Sequence, residues 1–404
     1  MHDRRLLTLV LLSAVGACSA DRGPEAGTWV AEWDTIGDTV VVRTVSGSVW
    51  GAPREMVEEL AIGVLDGPEE LMFGSIESMA VDAAGGIYAF DSQVPALRHF
   101  DADGDYIRTL GREGGGPGEY GQIVGALTVR RDGKVVLADF RNTRLNLYEP
   151  DGTLAAHWPV QGGIFSRQGI VVDTADHTFV SIVREATRSS APMNVGYLHL
   201  DPEGNVLDTL LVPTLPGEPE TRRFGPMDPS KEHALSPLGY MAVGISDDYS
   251  FEVRWPDGRT VRIERAYEPV PFAPEERAEW EATFDWFRSV GYPVEMGSVP
   301  DRKLPFGYFR ADERGRIWVR RHVEARKDET VQPPSEESNE PPPISWREPE
   351  VYDVFEPDGT YLGEVRFPWR TAPLFVRGDT AWGVRGGEFD EQYIVRMVMP
   401  GAAP

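Results

Sequence analysis

The stretch that decides the fold is RLNLYEPDGTLAAHW, residues 144–158. Apolar and polar residues alternate on both sides of Glu149-Pro150-Asp151-Gly152, which is the pattern of two half-buried strands joined by a tight turn. Pro150 fixes its own backbone φ angle, and Gly152 can adopt the positive φ that closes such a turn. The stretch therefore predicts a β-hairpin.

The same turn recurs along the chain. A second signal, in which an apolar strand, a polar turn and a β-branched or aromatic strand follow one another, precedes each hairpin, as in residues 79–90 and 127–137. Each period thus contains about four short strands, which is the composition of one propeller blade. The other copies of the turn are Asp101-Ala102-Asp103-Gly104, Asp201-Pro202-Glu203-Gly204, Trp255-Pro256-Asp257-Gly258 and Glu356-Pro357-Asp358-Gly359.

Counting the repeats gives six blades, which begin near residues 76, 123, 165, 234, 305 and 371. The last blade has only three strands before the chain ends, and residues 38–45 form a strong strand sequence that could supply the fourth. We therefore predict that this segment pairs with the last blade, with Val41 beside Val395. Closure removes an open sheet edge. The predicted fold is all-β, a six-bladed β-propeller closed by an N-terminal strand, with one inserted helix.

The helical insertion spans about residues 273–291. Pro274 in the first turn, the acidic residues that follow it and Gly291 at the end indicate these bounds. Trp280, Phe284 and Phe287 share one face, which favours packing on the propeller. The alternative is a lid over one end of the ring, with Trp286 available to a partner.

The N-terminus resembles a signal sequence that directs a protein to the membrane. Arg4 and Arg5 precede an apolar run that is too short to span a bilayer, which is typical of a secretory signal. Val15-Gly16-Ala17-Cys18 resembles the bacterial lipobox, in which the cysteine is acylated and becomes the mature N-terminus. The alternative is an ordinary secretory peptide with an incidental cysteine.

The lipobox resemblance implies a signal peptide at 1–17, a tether at 18–28 and a propeller at 29–400, with lipid attached to Cys18. Stable anchoring takes more than one acyl chain, as such proteins carry. Ser19 implies the outer membrane, facing the periplasm or the cell surface. Within the propeller, a Pro-rich segment at about 328–348 cannot offset its ordering cost and is predicted to be a mobile loop.

Composition excludes one class of partner. The 404 residues include 40 Lys and Arg against 65 Asp and Glu, so the formal net charge is −25. Such a chain repels phosphate backbones, which argues against nucleic-acid binding. Cys18 is the only cysteine, so no disulfide forms within the chain and the fold depends on burial.

Two further motifs carry a family resemblance. Residues 139–148, DFRNTRLNLY, resemble the core of an NHL repeat, and residues 111–120, GREGGGPGEY, resemble a Gly-Pro-Gly-Glu-aromatic loop between blades. That loop is typical of bacterial six-bladed β-propeller lipoproteins related to NHL-repeat proteins. The resemblance implies the fold and the anchor, and it implies no particular activity.

The sequence shows no signature of catalysis, metal binding or a cofactor. It contains no G-x-S-x-G, no H-E-x-x-H and no cysteine pair, and its seven histidines do not fall at ligand spacing. Residues 101–105 resemble the start of a calcium loop, but Tyr106 and Arg112 stand where Gly and Glu are required. Side chains of several blades could still meet at the ring axis, as in six-bladed lactonases and amidating lyases, which resemble this fold.

Propeller geometry indicates where a ligand would bind. Loops after the second strand of each blade share one face with the connections between blades, and Asp91, Asp139, Arg141 and Arg320 are predicted to lie there as candidate ligand residues. The alternative is that they are solvated surface charges. We expect a non-catalytic, lipid-anchored envelope module that binds a protein, peptide or glycan. The alternative is an envelope hydrolase or lyase, lactonase-like or amidating-lyase-like, with a metal on the propeller axis.

Overall fold

The computed structural model describes residues 27–122, 124–161, 163–164, 169–185, 194–219, 225–292, 296–332 and 340–400. The leader and Cys18 lie outside these residues. The described chain is mostly strand, with one α-helix and a short 3-10 turn at Glu69–Leu71. Its strands form the six predicted blades, which are numbered here in chain order.

The N-terminal segment and the first three blades contain the first nineteen strands. Before blade 1 lie β1 (Val30–Ile36), β2 (Thr39–Ser46), β3 (Arg54–Glu55) and β4 (Val57–Ile62). Blade 1 contains β5 (Ile76–Val81), β6 (Ile87–Asp91), β7 (Ala96–Phe100) and β8 (Tyr106–Leu110), and a small pair, β9 (Arg112–Glu113) and β10 (Glu119–Tyr120), follows it. Blade 2 contains β11 (Val124–Val129), β12 (Val135–Asp139), β13 (Arg144–Tyr148) and β14 (Leu154–Pro159). Blade 3 contains β15 (Gly163–Ile164), β16 (Ile170–Val172), β17 (Thr178–Glu185), β18 (Asn194–Leu200) and β19 (Val206–Leu211).

The remaining blades complete the ring. Blade 4 contains β20 (Lys231–Leu235), β21 (Met241–Ile245), β22 (Ser250–Arg254) and β23 (Thr260–Arg265), and helix α1 (Pro274–Ser289) follows it. Blade 5 contains β24 (Phe306–Ala311), β25 (Ile317–Arg321), a separate pair formed by β26 (Arg326–Lys327) and β27 (Trp346–Arg347), then β28 (Val351–Phe355) and β29 (Tyr361–Arg366). Blade 6 contains β30 (Thr371–Arg377), β31 (Thr380–Gly386) and β32 (Gln392–Val398).

The turns form as the sequence predicts. The glycines of the five repeated hairpins, at positions 104, 152, 204, 258 and 359, all have φ between 88° and 96°. This left-handed region disfavours residues with a side chain, which explains why glycine recurs there. The innermost strands of neighbouring blades contact one another, as β5 does with both β11 and β30. The ring therefore closes between blade 6 and blade 1.

Closure by an N-terminal strand is confirmed, but the predicted strand is wrong. The partner of β32 is β4, with Val395 opposite Ala61. Val41 instead pairs with Arg262, because β2 lies parallel to β23 at the outer edge of blade 4. Burial explains the choice, since Val42 of β2 packs into the apolar core shared by blades 4 and 5.

Residues 39–62 form what we call the N-terminal belt, which runs along three consecutive blades. After β2 covers the edge of blade 4, the N–H of Trp50 donates to Leu362 O of blade 5 at 2.8 Å. The strand β3 then pairs in parallel with β29, and β4 completes blade 6. The belt therefore joins blades 4, 5 and 6 from outside.

Arginine side chains tie neighbouring blades together. Each ends at a backbone carbonyl of an adjacent blade, where a charged donor makes a strong hydrogen bond. These ties are Arg108 to Asp151 O, Arg130 to Pro202 O, Arg310 to Leu374 O, Arg377 to Val81 O and Arg396 to Ala102 O.

The inserted helix is confirmed and packs on the propeller. Phe284 is buried with Phe272 and Val299, and Trp280 packs against the same cluster. Trp286 is partly buried, with its ring 5.1 Å from that of Phe287. A role as a lid stays a prediction.

Residues 333–339 of the Pro-rich segment lie outside the described part of the chain, and the residues that follow them contact helix α1. Ser345 donates from its backbone N–H and from its hydroxyl to Glu279 of α1, each at 2.6 Å. Thr283 donates to Pro342 O at 2.9 Å. The predicted mobility of this segment stays a prediction.

Candidate functional site

The innermost strands enclose an axial channel with a volume of about 1100 Å³. Ligand sites in proteins typically have volumes of roughly 300–1,000 Å³, so this channel is large enough to hold a ligand. The first residue of β5, Ile76, pairs with Asp91 at the end of β6. The mouth where the innermost strands begin therefore also carries the loops after the second strands, and we call it the upper mouth.

Asp91 and Asp139 do not line this channel. Asp91 is buried and accepts hydrogen bonds from the N–H groups of Gly74 and Ser75 at 2.9 and 3.0 Å. Asp139 is likewise buried and accepts from the N–H of Gly121 at 3.2 Å. Both carboxylates thus fasten the connection that leads into their own blade. Their predicted ligand role stays a prediction, and these contacts favour a structural role.

Arg141 and Arg320 differ in environment. Arg141 is exposed on the loop after β12, where the sequence placed it. Arg320 is buried, with Nε 2.8 Å from Glu350 and Nη1 3.6 Å from Glu348. Neither lines the channel, and Arg320 belongs to a larger ionic cluster.

That cluster, which we call the blade-5 network, joins helix α1 to the channel wall. The Lys303 side chain is fully buried, with Nζ 2.7 Å from Glu276 of α1 and 2.8 Å from Glu348. Burial of a charge is costly unless it is paired, and here two carboxylates pair with it. The members of the network are Glu276, Lys303, Tyr308, Arg320, His322, Glu348, Glu350 and Tyr352.

Two members of the blade-5 network, His322 and Tyr308, line the channel. His322 Nδ1 lies 3.0 Å from Glu348 Oε2. The Tyr308 hydroxyl lies 2.7 Å from that of Tyr352, which donates to Glu350 at 2.7 Å. Two groups able to exchange hydrogen bonds with a ligand are thus held by the partly buried Glu348 and the buried Tyr352. Such support keeps a site in one geometry.

The protonation of the network follows from its contacts. Burial alone would raise the pKa of Glu348, but His322, Lys303 and Arg320 outweigh it and lower the pKa to about 2. Because this pKa is depressed, the ion pairs of Glu348 stabilise the fold above about pH 4.5 and are lost as pH falls towards 2. Near neutral pH a fixed carboxylate therefore faces His322 Nδ1. In a neutral imidazole whose Nδ1 donates to a carboxylate, Nε2 is an acceptor.

Carboxylates lie at both ends of the channel. Glu77 and Glu232 lie near the upper mouth, where β5 and β20 begin, and Asp82, Asp173 and Asp312 follow the innermost strands at the other mouth. Glu77 is exposed and accepts from the Ser92 hydroxyl at 2.7 Å, whereas Glu232 is buried and accepts from the Ser230 hydroxyl at 2.6 Å. Of the arginines in the wall, Arg130, Arg310 and Arg377 act as ties between blades, and Arg131 is exposed. At the upper mouth, Glu77 is therefore a carboxylate that a ligand can reach.

The residues described in the structure contain no group of three or more His, Cys, Asp or Glu that could hold a metal ion. Over the same residues, no helix has the length and apolarity needed to cross a bilayer.

Fold and channel together define a six-bladed β-propeller. The sequence model of the DUF5128 family, described as a six-bladed β-propeller, matches residues 55–155. This match confirms the predicted resemblance at the level of the propeller. The comparison with curated protein sequences gave no match.

Solved structures similar to this chain are also propeller proteins. A member of the DUF4221 family from Bacteroides vulgatus has a TM-score of 0.52 at 12% identity, covering 85% of this chain and 98% of that one. Virginiamycin B lyase from Staphylococcus aureus has a TM-score of 0.42 at 10% identity, covering 84% and 98%. A gluconolactonase from Xanthomonas campestris has a TM-score of 0.39 at 14% identity, covering 88% and 99%. At these identities the likeness concerns the fold alone.

The sequence analysis missed His322 and Tyr308 as channel residues. His322 follows β25 just as Ser92 follows β6, so its place after a second strand was a usable signal. Its partner Glu348 lies at the far end of the Pro-rich segment, and no local pattern connects the two.

Proposed function

We propose that the protein is a lipid-anchored module of the cell envelope that binds a peptide or glycan in the axial channel without converting it. One observation carries this proposal. The wall of a channel of about 1100 Å³ presents His322 and Tyr308, and both are held by the partly buried blade-5 network. Binding residues supported in this way need little reordering when a ligand arrives.

The chemistry of the upper mouth favours a peptide with basic side chains. Glu77 is exposed there, and the buried Glu232, which accepts from the Ser230 hydroxyl, adds negative charge to the wall. Carboxylates that converge on a concave surface attract cations and repel anions. The net charge of −25 acts in the same direction over a longer range.

Titration calorimetry with a tetralysine and a tetraglutamate peptide tests the binding proposal. We expect saturable binding of tetralysine only, weakened about tenfold by Tyr308→Phe or His322→Gln, which corresponds to roughly one lost hydrogen bond to a charged ligand. Glu32→Gln, a change on the outermost strand of blade 4, is the matched control and should bind normally. Equal binding of both peptides, or none, would contradict the basic-peptide proposal.

The anchor has a separate test. Cys18→Ala should move the protein from the membrane fraction to the soluble fraction, because the acyl chains supply the membrane affinity. Ser19→Ala should leave it in the membrane fraction. Retention of the Cys18→Ala variant on membranes would contradict lipid anchoring.

A second candidate function is an envelope hydrolase or lyase, and one observation favours it. The His322–Glu348 pair has the arrangement of a general base with an orienting carboxylate, and Tyr308 is a second proton-carrying group in the same channel. Incubation with envelope extracts, followed by mass spectrometry of the products, would detect turnover. Loss of the products in the His322→Gln variant, or a metal that survives dialysis, would favour this candidate over simple binding.

A further inference from the structure

His322 reaches the axial channel beside a glycine of the innermost strand. The histidine follows β25, the second strand of blade 5, and therefore starts one strand away from the channel. Gly307 of β24 lies next to the ring, since a Cβ atom at that position would lie 3.3 Å from His322 Nε2. Glycine here leaves room for the ring edge that carries Nε2, and both residues line the channel. Nε2 is therefore the ring nitrogen that is placed to meet a ligand.

The other ring nitrogen is held by Glu348. The Oε2 atom of this carboxylate lies 3.0 Å from His322 Nδ1, and it accepts from the N–H of Val323 at 3.3 Å. The hydrogen bond made by one nitrogen of an imidazole decides which nitrogen carries the proton. A carboxylate that faces Nδ1 therefore keeps the proton there, as long as the carboxylate itself stays in place.

Lys303 keeps this carboxylate in place. Its Nζ atom lies 2.8 Å from the other carboxylate oxygen, Glu348 Oε1, and donates to Val323 O at 3.1 Å. The same ammonium lies 2.7 Å from Glu276 of helix α1. Three acceptors from three segments thus match the three protons of the ammonium. The lysine is fixed by the fold, and it fixes the group that faces His322.

Arg320 contacts Glu348 in a different way. Its Nη1 atom lies 3.6 Å from Oε2, the oxygen that also faces His322, whereas its Nε lies 2.8 Å from Glu350. Lys303 is instead the cation at Oε1. Without the lysine, the carboxylate would be free to turn Oε1 towards Arg320, which would change its contact with the histidine ring.

We propose that Lys303 is a positioning residue for the channel site: by fixing Glu348 it keeps the proton of His322 on Nδ1, so that Nε2 accepts a hydrogen bond from an ammonium group of the ligand. The carboxylate behind the ring also attracts cations, so a lysine side chain suits this position. For its ligand this inference rests on the proposed function, whereas the position of the proton is measured without a ligand.

Nitrogen NMR of the imidazole tests the positioning role in the full chain carrying Cys18→Ser. At mildly alkaline pH, where a free imidazole is neutral, the wild type should carry the His322 proton on Nδ1. Lys303→Met should move it towards Nε2, the nitrogen that is protonated in most neutral free histidines. Lys231→Met, which removes a lysine that pairs with Glu218 at 2.6 Å, is the matched control and should leave the proton on Nδ1.

A second variant keeps the test valid if Lys303→Met folds poorly. Lys303→Met alone leaves the buried Glu276 without its counter-charge, which is destabilising. The double variant Glu276→Gln/Lys303→Met removes both charges and keeps similar side-chain volumes. It should show the same movement of the His322 proton, and a cooperative melting transition would show that it is folded.

Titration calorimetry with tetralysine separates the orientation of the ring from access to it. Lys303→Met and Gly307→Ala should each weaken binding about tenfold, which corresponds to one lost hydrogen bond to a charged group. Gly307→Ala should do so with the proton still on Nδ1, because the added methyl group obstructs Nε2 and does not touch Glu348.

The outcomes separate the two proposals. A proton that stays on Nδ1 in both lysine variants overturns the positioning role, and so does a wild type that carries it on Nε2. Full tetralysine affinity in a variant whose proton has moved overturns the role of Nε2 as the acceptor. If the wild type does not bind tetralysine, the proposed function fails, whereas the NMR result still decides whether Lys303 positions the ring.

Discussion

Two seams between neighbouring blades bury an ionisable side chain in opposite ways. In the seam of blades 4 and 5, Asp353 is fully buried, accepts from the hydroxyls of Tyr249 and Tyr361 at 2.5 and 2.7 Å, and pairs with Arg265. In the seam of blades 3 and 4, His233 is buried, and neither of its ring nitrogens has a hydrogen-bond partner among the described residues.

The two seams avoid the free-energy cost of an unpaired buried charge in different ways. A buried charge persists when partners replace the water it loses, as the arginine and two phenols do for Asp353. A group without such partners gives up its charge instead, and burial lowers the pKa of His233 to about 4. The first seam therefore depends on its polar contacts, whereas the second depends on the histidine staying neutral.

Replacing Asp353 breaks the first seam and should have the largest effect. Asp353→Ala leaves the partly buried Arg265 beside the phenols without its counter-charge, so we expect a loss of about 3–5 kcal/mol in the free energy of unfolding. Chemical denaturation measures this loss. Asp103→Ala, in an exposed hairpin, is the control and should change stability by less than about 0.5 kcal/mol. Equal effects of the two changes would mean that the cluster stabilises nothing.

The second seam should respond to pH. The unfolded chain protonates His233 below about pH 6.5, whereas the folded chain does so only near pH 4. Stability therefore falls as pH drops from 6.5 to 4, by an amount of the order of 3 kcal/mol.

His233→Phe should remove this dependence and be more stable than the wild type at pH 4. The control His157→Gln, on an exposed strand position, should keep the wild-type dependence. Melting temperatures measured between pH 7 and 4 decide the matter. Parallel curves for the wild type and His233→Phe would show that His233 does not titrate as proposed.

The smallest expected loss of stability comes from removing one hydroxyl in the seam of blades 4 and 5, and this change refines the comparison. Tyr361→Phe deletes one of the two phenol hydrogen bonds to Asp353 while leaving the ring in place. We expect a loss of about 1–2 kcal/mol, as for one hydrogen bond to a buried charge. Denaturation of Tyr361→Phe, Asp353→Ala and the double variant measures the coupling. If the two single losses simply add, the hydroxyl does not act through Asp353.

Local sequence predicted most of the architecture. The repeated Gly at the hairpins sets the blades, and Pro274 and Gly291 bracket the helix, because these residues act within a single turn. Strand partners depend on distant residues and were harder to predict. The segment around Val41 has the stronger strand propensity, but β4, with its two glutamates, suits the outer position of blade 6.

The candidate site was less predictable than the fold. Asp91 and Asp139 fall on the predicted loops, yet backbone N–H groups of connecting segments enclose them, and sequence does not show such contacts. His322 becomes notable only when Glu348 and Lys303 are seen beside it. Lys303 lies in the connection between α1 and β24, and Glu348 ends the Pro-rich segment, so only the fold brings the two together.

The belt also sets the order in which the strands of the ring can pair during folding. The strand β4 is made early but pairs late, since Val57 must wait for Val398 before blade 6 is complete. Contacts between such distant segments slow folding. The ring of a chain that closes in this way therefore stays open until the strands of blade 6 have been synthesised.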